Sequence, residues 1–247
     1  MSFTFIDLFA GIGGFSCGFE KAGAVTVAAV EIDPQCRELL GNKFPNAKLF
    51  DDVTKVSGDE LRAAGFVSER GILTAGWPCQ DISVAGRGKG LSGDRSGLFW
   101  EVARILRELE PAWFVLENVP RLLSINGGRD MGAVVGALAE CGYGFAWRVL
   151  DAQHFGIPQR RRRIFFVGHL GDTGTASSEI LFESESVLRS AAQDKQSRSR
   201  DPNDFGTSHA DGSWAAVTAS TLQGGGRRGY RIDAEGVSGG QVIVARK

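Results

Sequence analysis

One cysteine stands where a reactive thiol would be expected. Cys79 follows Gly76-Trp77-Pro78, which breaks a short apolar run at residues 71–75 that has the character of a buried parallel strand. Ligands of open α/β sheets bind beyond the carboxyl ends of the strands. Most free cysteines are only small buried hydrophobic residues. A cysteine in a Pro-Cys-Gln turn after a strand is better explained as a nucleophile.

A carboxylate and a run of arginines are predicted at the same edge of the sheet. Glu117 and Asn118 close the apolar run 113–116, which should be the neighbouring strand. Four consecutive arginines, residues 160–163, lead into the last apolar strand. If that run is extended, Arg161 and Arg163 share one face and can point into a site that binds phosphate or a base. The bland alternative for the glutamate and the arginines is a solvated surface.

A glycine-rich turn near the N-terminus indicates a nucleoside site. A strand at residues 3–9 is followed by the turn 10–15 and a helix at 16–22, which is how a doubly wound sheet begins. Ser16 stands where a dinucleotide fingerprint would have its third glycine, which argues against a nicotinamide oxidoreductase. Glu31 ends the second strand about 20 residues after the turn, where a carboxylate commonly binds ribose hydroxyls.

These groups together restrict the chemistry. A thiolate, a proton donor and two arginines beside a nucleoside pocket suit addition to an electron-poor ring followed by group transfer. No histidine is placed to pair with Cys79, so hydrolysis by a cysteine–histidine pair is not expected.

Composition limits the class of protein. The chain has 247 residues, is 43% hydrophobic and has a formal net charge of -1, so any nucleic-acid surface must be local. Its four cysteines form no Cys-x-x-Cys pair, which suggests neither a metal site nor a disulfide framework and fits a reducing cytoplasm. The N-terminus lacks a signal-peptide pattern, and no apolar run is long enough to span a bilayer.

The order of elements predicts an α/β protein with a doubly wound, mostly parallel Rossmann-like sheet. Further helices are expected at 34–43, 57–64, from 96 onward and at 131–140, with strands at 25–30, 47–50 and 145–150. Asp51 or Asp52, after the third strand, could reach an adenine amino group or simply cap the next turn. We predict a catalytic domain at residues 1–170.

The remaining residues, 171–247, are rich in Ser, Gly, Asp and Arg and are predicted to be loop-rich, with a weak strand near 241–244. Arg227 and Arg228 lie in a glycine-rich stretch that also carries an aromatic residue. This composition suits a nucleic-acid contact loop and suits a plain linker equally well.

Five of these segments, in this order over residues 3–168, resemble the motifs of the DNA (cytosine-5) methyltransferases of bacterial and phage type. The segments are Asp7-Leu8-Phe9-Ala10-Gly11-Ile12-Gly13-Gly14, Glu31, Pro78-Cys79-Gln80, Glu117-Asn118-Val119 and Gln159-Arg160-Arg161-Arg162-Arg163. The resemblance implies a methyltransferase that uses S-adenosyl-L-methionine and acts on double-stranded DNA in the bacterial cytoplasm or nucleoid. Residues 171–247 would then be part of its target-recognition region.

The resemblance also implies a role for individual residues. Cys79 would attack carbon 6 of a flipped-out cytosine, and Glu117 would bind its ring nitrogen. Arg161 and Arg163 would bind the base oxygen and phosphate or brace the cysteine. The implied cofactor-binding residues are Phe9, Gly11, Gly13, Glu31, Ile32, Asp52, Val53, Pro78 and Leu98. The implied DNA-binding residues are Gln80, Ser83, Arg87 and Lys89, together with Arg227 and Arg228 if their stretch is a contact loop.

Two closing motifs of the family are not found after residue 171. We therefore expect either a piece of a longer protein or the larger half of a split enzyme that needs a complementary C-terminal subunit. Two alternatives stay open, namely a chain that binds DNA or cofactor without turnover and the branch of the family that methylates cytosine in transfer RNA.

Overall fold

A mixed sheet forms the centre of the computed structural model, which describes residues 2–78, 96–182 and 241–243. The strands are β1 (Thr4–Leu8), β2 (Val25–Val30), β3 (Lys48–Phe50), β4 (Gly71–Ala75), β5 (Trp113–Asn118), β6 (Tyr143–Asp151), β7 (Arg162–Leu170) and β8 (Gln241–Ile243). Their order in the sheet is β3-β2-β1-β4-β5-β7-β6-β8. The first five strands pair in parallel, whereas β7 is antiparallel to both β5 and β6, and β8 is antiparallel to β6.

Six α-helices lie among the described residues, five between successive strands and one after β7. They are α1 (Gly14–Lys21), α2 (Pro34–Lys43), α3 (Gly58–Ala63), α4 (Phe99–Leu109), α5 (Arg129–Glu140) and α6 (Thr175–Leu181). The side chain of Asp33 caps the start of α2, and Pro34 occupies its first turn. Ser57 and Glu60 form a capping box at the start of α3. These local signals explain why both helices begin where the sequence predicted.

Helices cover both faces of the sheet, as a doubly wound fold requires. The larger core lies between one face and helices α3, α4 and α5, and it contains Leu61, Leu106 and Leu138. Leu40 of α2 packs on the opposite face near β2, and Leu181 of α6 packs on that face near β6 and β7. The predicted fold class, α/β with a mostly parallel Rossmann-like sheet, is confirmed.

Residues beyond 170 contain a helix that the sequence did not predict. Helix α6 buries only Ser177 and Leu181, which is too little for a clear apolar stripe. The weak strand near the C-terminus is present as β8 and extends the sheet beyond β6. The proposed domain boundary at residue 170 stays a prediction. Within the described ranges, no helix combines the length and apolar character needed to cross a membrane.

Candidate active site

The predicted site residues meet at one edge of the sheet. Strands β1, β2, β4 and β5 run parallel, so their carboxyl ends lie together. Glu31 follows β2, Gly76 follows β4, and Glu117 lies at the end of β5. Strand β7 is antiparallel and begins at this edge, where Phe165 pairs with Glu117.

The glycine turn after β1 bends sharply through left-handed backbone angles. Phe9 has φ +56°, Gly11 has +53° and Gly13 has +81°. A Cβ atom on Gly13 would lie 2.8 Å from a ring carbon of Phe44 and 2.9 Å from a methyl carbon of Leu40, so Gly13 permits close packing on α2. A Cβ atom on Gly11 would meet nothing within 4 Å, so this side of the turn faces open space.

Glu31 is joined directly to this turn. The backbone N–H of Gly11 donates to Glu31 Oε2 at 2.7 Å, and the N–H of Asp33 donates to Oε1 at 2.9 Å. Ile32 is 75% exposed beside them. A carboxylate and an exposed apolar side chain at the open side of the turn could receive a nucleoside. The individual roles of Phe9, Gly11, Gly13, Glu31 and Ile32 stay predictions.

Asp52 caps the turn that follows β3. The hydroxyl and the backbone N–H of Thr54 donate to Asp52 Oδ1 at 2.7 and 3.0 Å, and Lys55 lies 3.5 Å from Oδ2. The hydrogen bonds from Thr54 lower the pKa of Asp52 below its ordinary value. This geometry is the capping alternative left open by the sequence. The adenine contact of Asp52 and Val53 stays a prediction.

An arginine that the sequence analysis missed holds this turn from the neighbouring helix. Arg104 of α4 donates to the carbonyl oxygens of Val53 at 2.9 Å and Val56 at 3.0 Å. Its guanidinium is itself paired with Glu101 and Glu108 of the same helix, each at 2.8 Å. Its position on the polar side of an amphipathic helix gave no signal of this contact.

Glu117 is held by both predicted arginines. Its Oε1 lies 2.8 Å from Arg163 Nε and 3.9 Å from Arg161 Nη2, and its side chain is 19% exposed. The two arginines therefore share a face, as the extended run predicted. Burial raises the pKa of Glu117 above its ordinary value, although Arg163 and Arg161 oppose the rise. Glu117 thus takes up a proton more readily than an exposed glutamate, which suits a group that exchanges a proton with a substrate.

Gly76 leaves room for this carboxylate. A Cβ atom at residue 76 would lie 3.3 Å from Glu117 Oε2, which is a tight contact. The next residue, Trp77, is buried against Phe99 with ring centroids 5.3 Å apart. Buried Asn118 accepts a hydrogen bond from Val119 N at 2.8 Å and donates one to the Trp77 carbonyl at 3.4 Å. These contacts fix the backbone that leads toward residue 79.

Two predicted pocket residues lie in this neighbourhood. Pro78 is half-buried, and half-buried Leu98 packs against the large core just before α4. The remaining predicted residues lie outside the described part of the chain. They are Cys79, Gln80, Ser83, Arg87, Lys89, Arg227 and Arg228.

A buried carboxylate below the glycine turn was not singled out by the sequence analysis. Asp7 accepts hydrogen bonds at Oδ2 from Ser16 Oγ at 2.8 Å and Ser16 N at 3.3 Å, and at Oδ1 from Thr74 Oγ1 at 2.8 Å. Burial raises the pKa of Asp7 to about 6 against these hydrogen bonds. Ser16, which departs from the glycine fingerprint, is thus a partner of Asp7. A charged residue within an apolar strand was the available signal.

The sequence model of the C-5 cytosine-specific DNA methylases matches residues 3–217. The chain belongs to this family. Among curated members, it is 37% identical over 169 residues to the Type II methyltransferase M2.BsuMI of Bacillus subtilis (strain 168), covering 67% of this chain and 41% of that protein. It is 39% identical over 163 residues to M.NgoBI of Neisseria gonorrhoeae, covering 66% of this chain and 49% of that protein. The matched stretch therefore spans less than half of each relative.

Solved structures of other methyltransferases share the fold of this chain. A protein described as a DNA modification methyltransferase encoded within an E. coli prophage superposes with a TM-score of 0.58 at 28% identity, covering 68% of this chain and 47% of the other. The Dnmt2 methyltransferase of S. pombe superposes with a TM-score of 0.56 at 21% identity, covering 70% of this chain and 51% of the other. The second likeness concerns the fold alone.

Proposed function

We propose that this chain carries the catalytic part of a DNA (cytosine-5-)-methyltransferase that acts through a covalent bond to Cys79. Family membership supports the reaction class. The observation that carries the proposal is the Glu117–Arg163 pair, 2.8 Å apart. Glu117 also borders Gly76, three residues before Cys79 along the chain. Burial raises the pKa of Glu117, and this side chain stands beside the backbone that leads to the proposed nucleophile.

The chain's own residues can account for the activation of the base. The Cys79 thiolate adds to carbon 6 of a flipped-out cytosine, and its electron pair forms the new sulfur–carbon bond. Protonated Glu117 donates to ring nitrogen 3, so carbon 5 gains the electron density released by the addition. After methyl transfer, carbon 5 loses its proton to solvent and the thiolate leaves. The proton on nitrogen 3 returns to Glu117, which restores both the ring and the enzyme.

The residues after β1 and β2 suit the methyl donor. When bound, S-adenosyl-L-methionine supplies an electrophilic methyl group. The open side of Gly11 would admit it, and the Glu31 carboxylate, although it accepts from Gly11 N and Asp33 N, retains lone pairs for ribose hydroxyls. Exposed Ile32 would cover one face of the adenine. Asp52, Val53, Pro78 and Leu98 complete the proposed pocket.

The macromolecular partner that we propose is double-stranded DNA. Gln80, Ser83, Arg87 and Lys89 would contact it near the flipped base, with Arg227 and Arg228 as further contacts. A complementary C-terminal chain is a second proposed partner. Its support is that the curated relatives named above are more than twice as long as the stretch that this chain matches.

The test is transfer of labelled methyl from S-adenosyl-L-methionine to unmethylated duplex DNA, with Cys79→Ser as the control. The reaction is run with the chain alone and with the C-terminal part of a relative added. We expect label in 5-methylcytosine that disappears in the Cys79→Ser variant. Label that requires the added part would support the complementary chain. Absence of label under both conditions, or label that persists in the variant, would contradict the proposed function.

A further inference from the structure

Asp7 occupies an unusual position for a carboxylate. It is 1% exposed, and both of its oxygens accept hydrogen bonds from groups on other elements. Ser16 donates from the first turn of α1, and Thr74 donates from β4, 67 residues further along the chain. Asp7 therefore ties three elements together at a single buried point.

Those three elements carry both halves of the proposed site. Ser16 follows the turn at residues 9–13 by one helical turn, and Thr74 precedes Gly76 by two residues. In the sheet, Asp7 pairs with Thr74, and Thr74 pairs with Val115. Side chains two residues apart share a face, so Gly76 and Glu117 lie one row further toward the carboxyl edge. Asp7 therefore lies one row below Glu117, the proposed catalytic residue, on the same face of the sheet and two strands away.

Helix capping alone does not require this arrangement. Helix α3 is capped at the surface by Ser57 and Glu60, without a buried charge. At Asp7, burial raises the pKa to about 6, and nearby Glu31 adds to the rise, so keeping a carboxylate here opposes stability at neutral pH. An ionisable group retained in such a place is often tied to function rather than to the fold alone.

We propose that Asp7 is a positioning residue, whose hydrogen bonds to Ser16 and Thr74 hold the glycine turn in the shape that receives the methyl donor. The inference rests on the proposed function, because it assumes that the donor binds at this turn. Gly11 transmits the effect, since its N–H donates to Glu31 at the open side of the turn. If the start of α1 shifts away from β4, the Gly11 amide moves relative to the Glu31 carboxylate, which is anchored at the end of β2.

The experiment compares substitutions that remove or retain the hydrogen bonds. Asp7→Ala removes all three, Asp7→Asn keeps the size and can still accept from Ser16, and Ser16→Ala and Thr74→Val each remove one. Tyr143→Phe is the matched control. It deletes the buried hydrogen bond from the Tyr143 hydroxyl to the Pro111 carbonyl at 2.8 Å, which lies at the edge of the sheet away from the proposed site. Binding of S-adenosylhomocysteine is measured by calorimetry at neutral pH, below the unfolding temperature of every variant.

We expect Asp7→Ala to weaken binding roughly tenfold or more, by analogy with other supporting-residue substitutions. Asp7→Asn should recover most of that loss, the two single-bond variants should lie between, and Tyr143→Phe should bind like wild type. The backbone amide signal of Gly11 should shift in Asp7→Ala and stay in place in Tyr143→Phe. If Asp7→Ala does not fold, Ser16→Ala and Thr74→Val decide the outcome.

The outcomes separate this role from the proposed function. Wild-type protein that binds the ligand, with all folded variants within about twofold of it, would overturn the positioning role and leave the proposed function standing. Equal weakening in Asp7→Ala and Tyr143→Phe would also overturn it, because the loss would then follow stability alone. Wild-type protein that fails to bind would overturn both.

Discussion

Two carboxyl groups lie one row apart on the same face of the sheet, and they are held in different ways. Asp7 is buried and bonded to neutral donors, namely two hydroxyls and a backbone N–H. Glu117 is partly exposed and is paired with the charged side chains of Arg163 and Arg161. Burial raises both pKa values, but only Glu117 has cationic partners that oppose the rise.

The partners of Asp7 are held more firmly than the partners of Glu117. The partners of Asp7 belong to α1 and β4, so they move only if those elements move. The arginines beside Glu117 are long side chains, and Arg161 is about half exposed, so they can yield to a substrate. We therefore expect substitutions at Glu117 to act on turnover and substitutions at Asp7 to act on stability and cofactor binding.

The largest expected effect is on turnover. Glu117→Gln retains the size of the side chain but cannot transfer a proton, so methyl transfer should fall by at least about 100-fold. The unfolding temperature should change little, because the substitution removes both the burial of the carboxylate, which opposes folding, and its pairing with Arg163, which favours folding. Initial rates and thermal unfolding measure the two effects. A rate within tenfold of wild type would contradict the role assigned to Glu117.

The next effect is a pH dependence of stability at Asp7. Its pKa rises from 3.8 to about 6 on folding, so the folded state holds the proton more tightly than the unfolded state. Stability from this group is greatest below pH 3.8 and is lost as the pH rises to about 6, by about 3 kcal/mol in total.

Asp7→Asn removes this titration. As the pH rises from 4 to 7, the unfolding free energy of wild type should fall relative to that of Asp7→Asn. Above pH 7 the difference between them should stay constant. Chemical denaturation at a series of pH values measures it. A difference that is constant with pH would show that Asp7 does not titrate as described.

The two predicted cofactor glycines should separate in their effects. Gly13→Ala places a methyl group against Phe44 and Leu40 at a positive φ, so we expect a loss of about 2 to 4 kcal/mol of stability. The methyl group of Gly11→Ala meets open space, so this variant should lose only about 1 kcal/mol of stability. Because the open space is the proposed cofactor site, Gly11→Ala should still weaken cofactor binding. Denaturation and calorimetry together test this pair. Equal loss of stability in both would contradict the packing assigned to Gly13.

The smallest expected effect is on the titration of Glu117. Arg163 is closer to its Oε1 than Arg161, at 2.8 against 3.9 Å, so Arg163→Gln should raise the pKa of Glu117 more than Arg161→Gln does. Exposed Arg162, for which no ion pair is found among the described residues, supplies the control Arg162→Gln, with little change. Carboxyl-carbon NMR titration of the three variants measures the order. A reversed order would contradict the geometry of the pair.

Local patterns were enough to predict much of the fold and part of the site. The start of α2 follows from Asp33 and Pro34, which cap it and occupy its first turn. The common face of Arg161 and Arg163 follows from the alternation of an extended chain, and both do reach Glu117. Such features depend on neighbouring residues, which a sequence displays directly.

Features that depend on distant residues could not be predicted in this way. The bond between Asp7 and Thr74 joins residues 67 positions apart, and it forms only because β1 and β4 are neighbours in the sheet. The contact of Arg104 with Val53 likewise spans 51 positions between a helix and a turn. The close packing of Gly13 against Phe44 and Leu40 likewise depends on where α2 lies, about 30 residues further along the chain.

The proposed covalent bond between Cys79 and carbon 6 of cytosine can be trapped chemically. In duplex DNA that carries 5-fluorocytosine, the fluorine cannot leave as the carbon 5 proton does, so the enzyme cannot release the methylated ring. With S-adenosyl-L-methionine present, we expect a stable protein–DNA complex whose modified peptide contains Cys79. Failure to form the complex, even with the C-terminal part of a relative added, or attachment through Cys17, Cys36 or Cys141, would contradict the account.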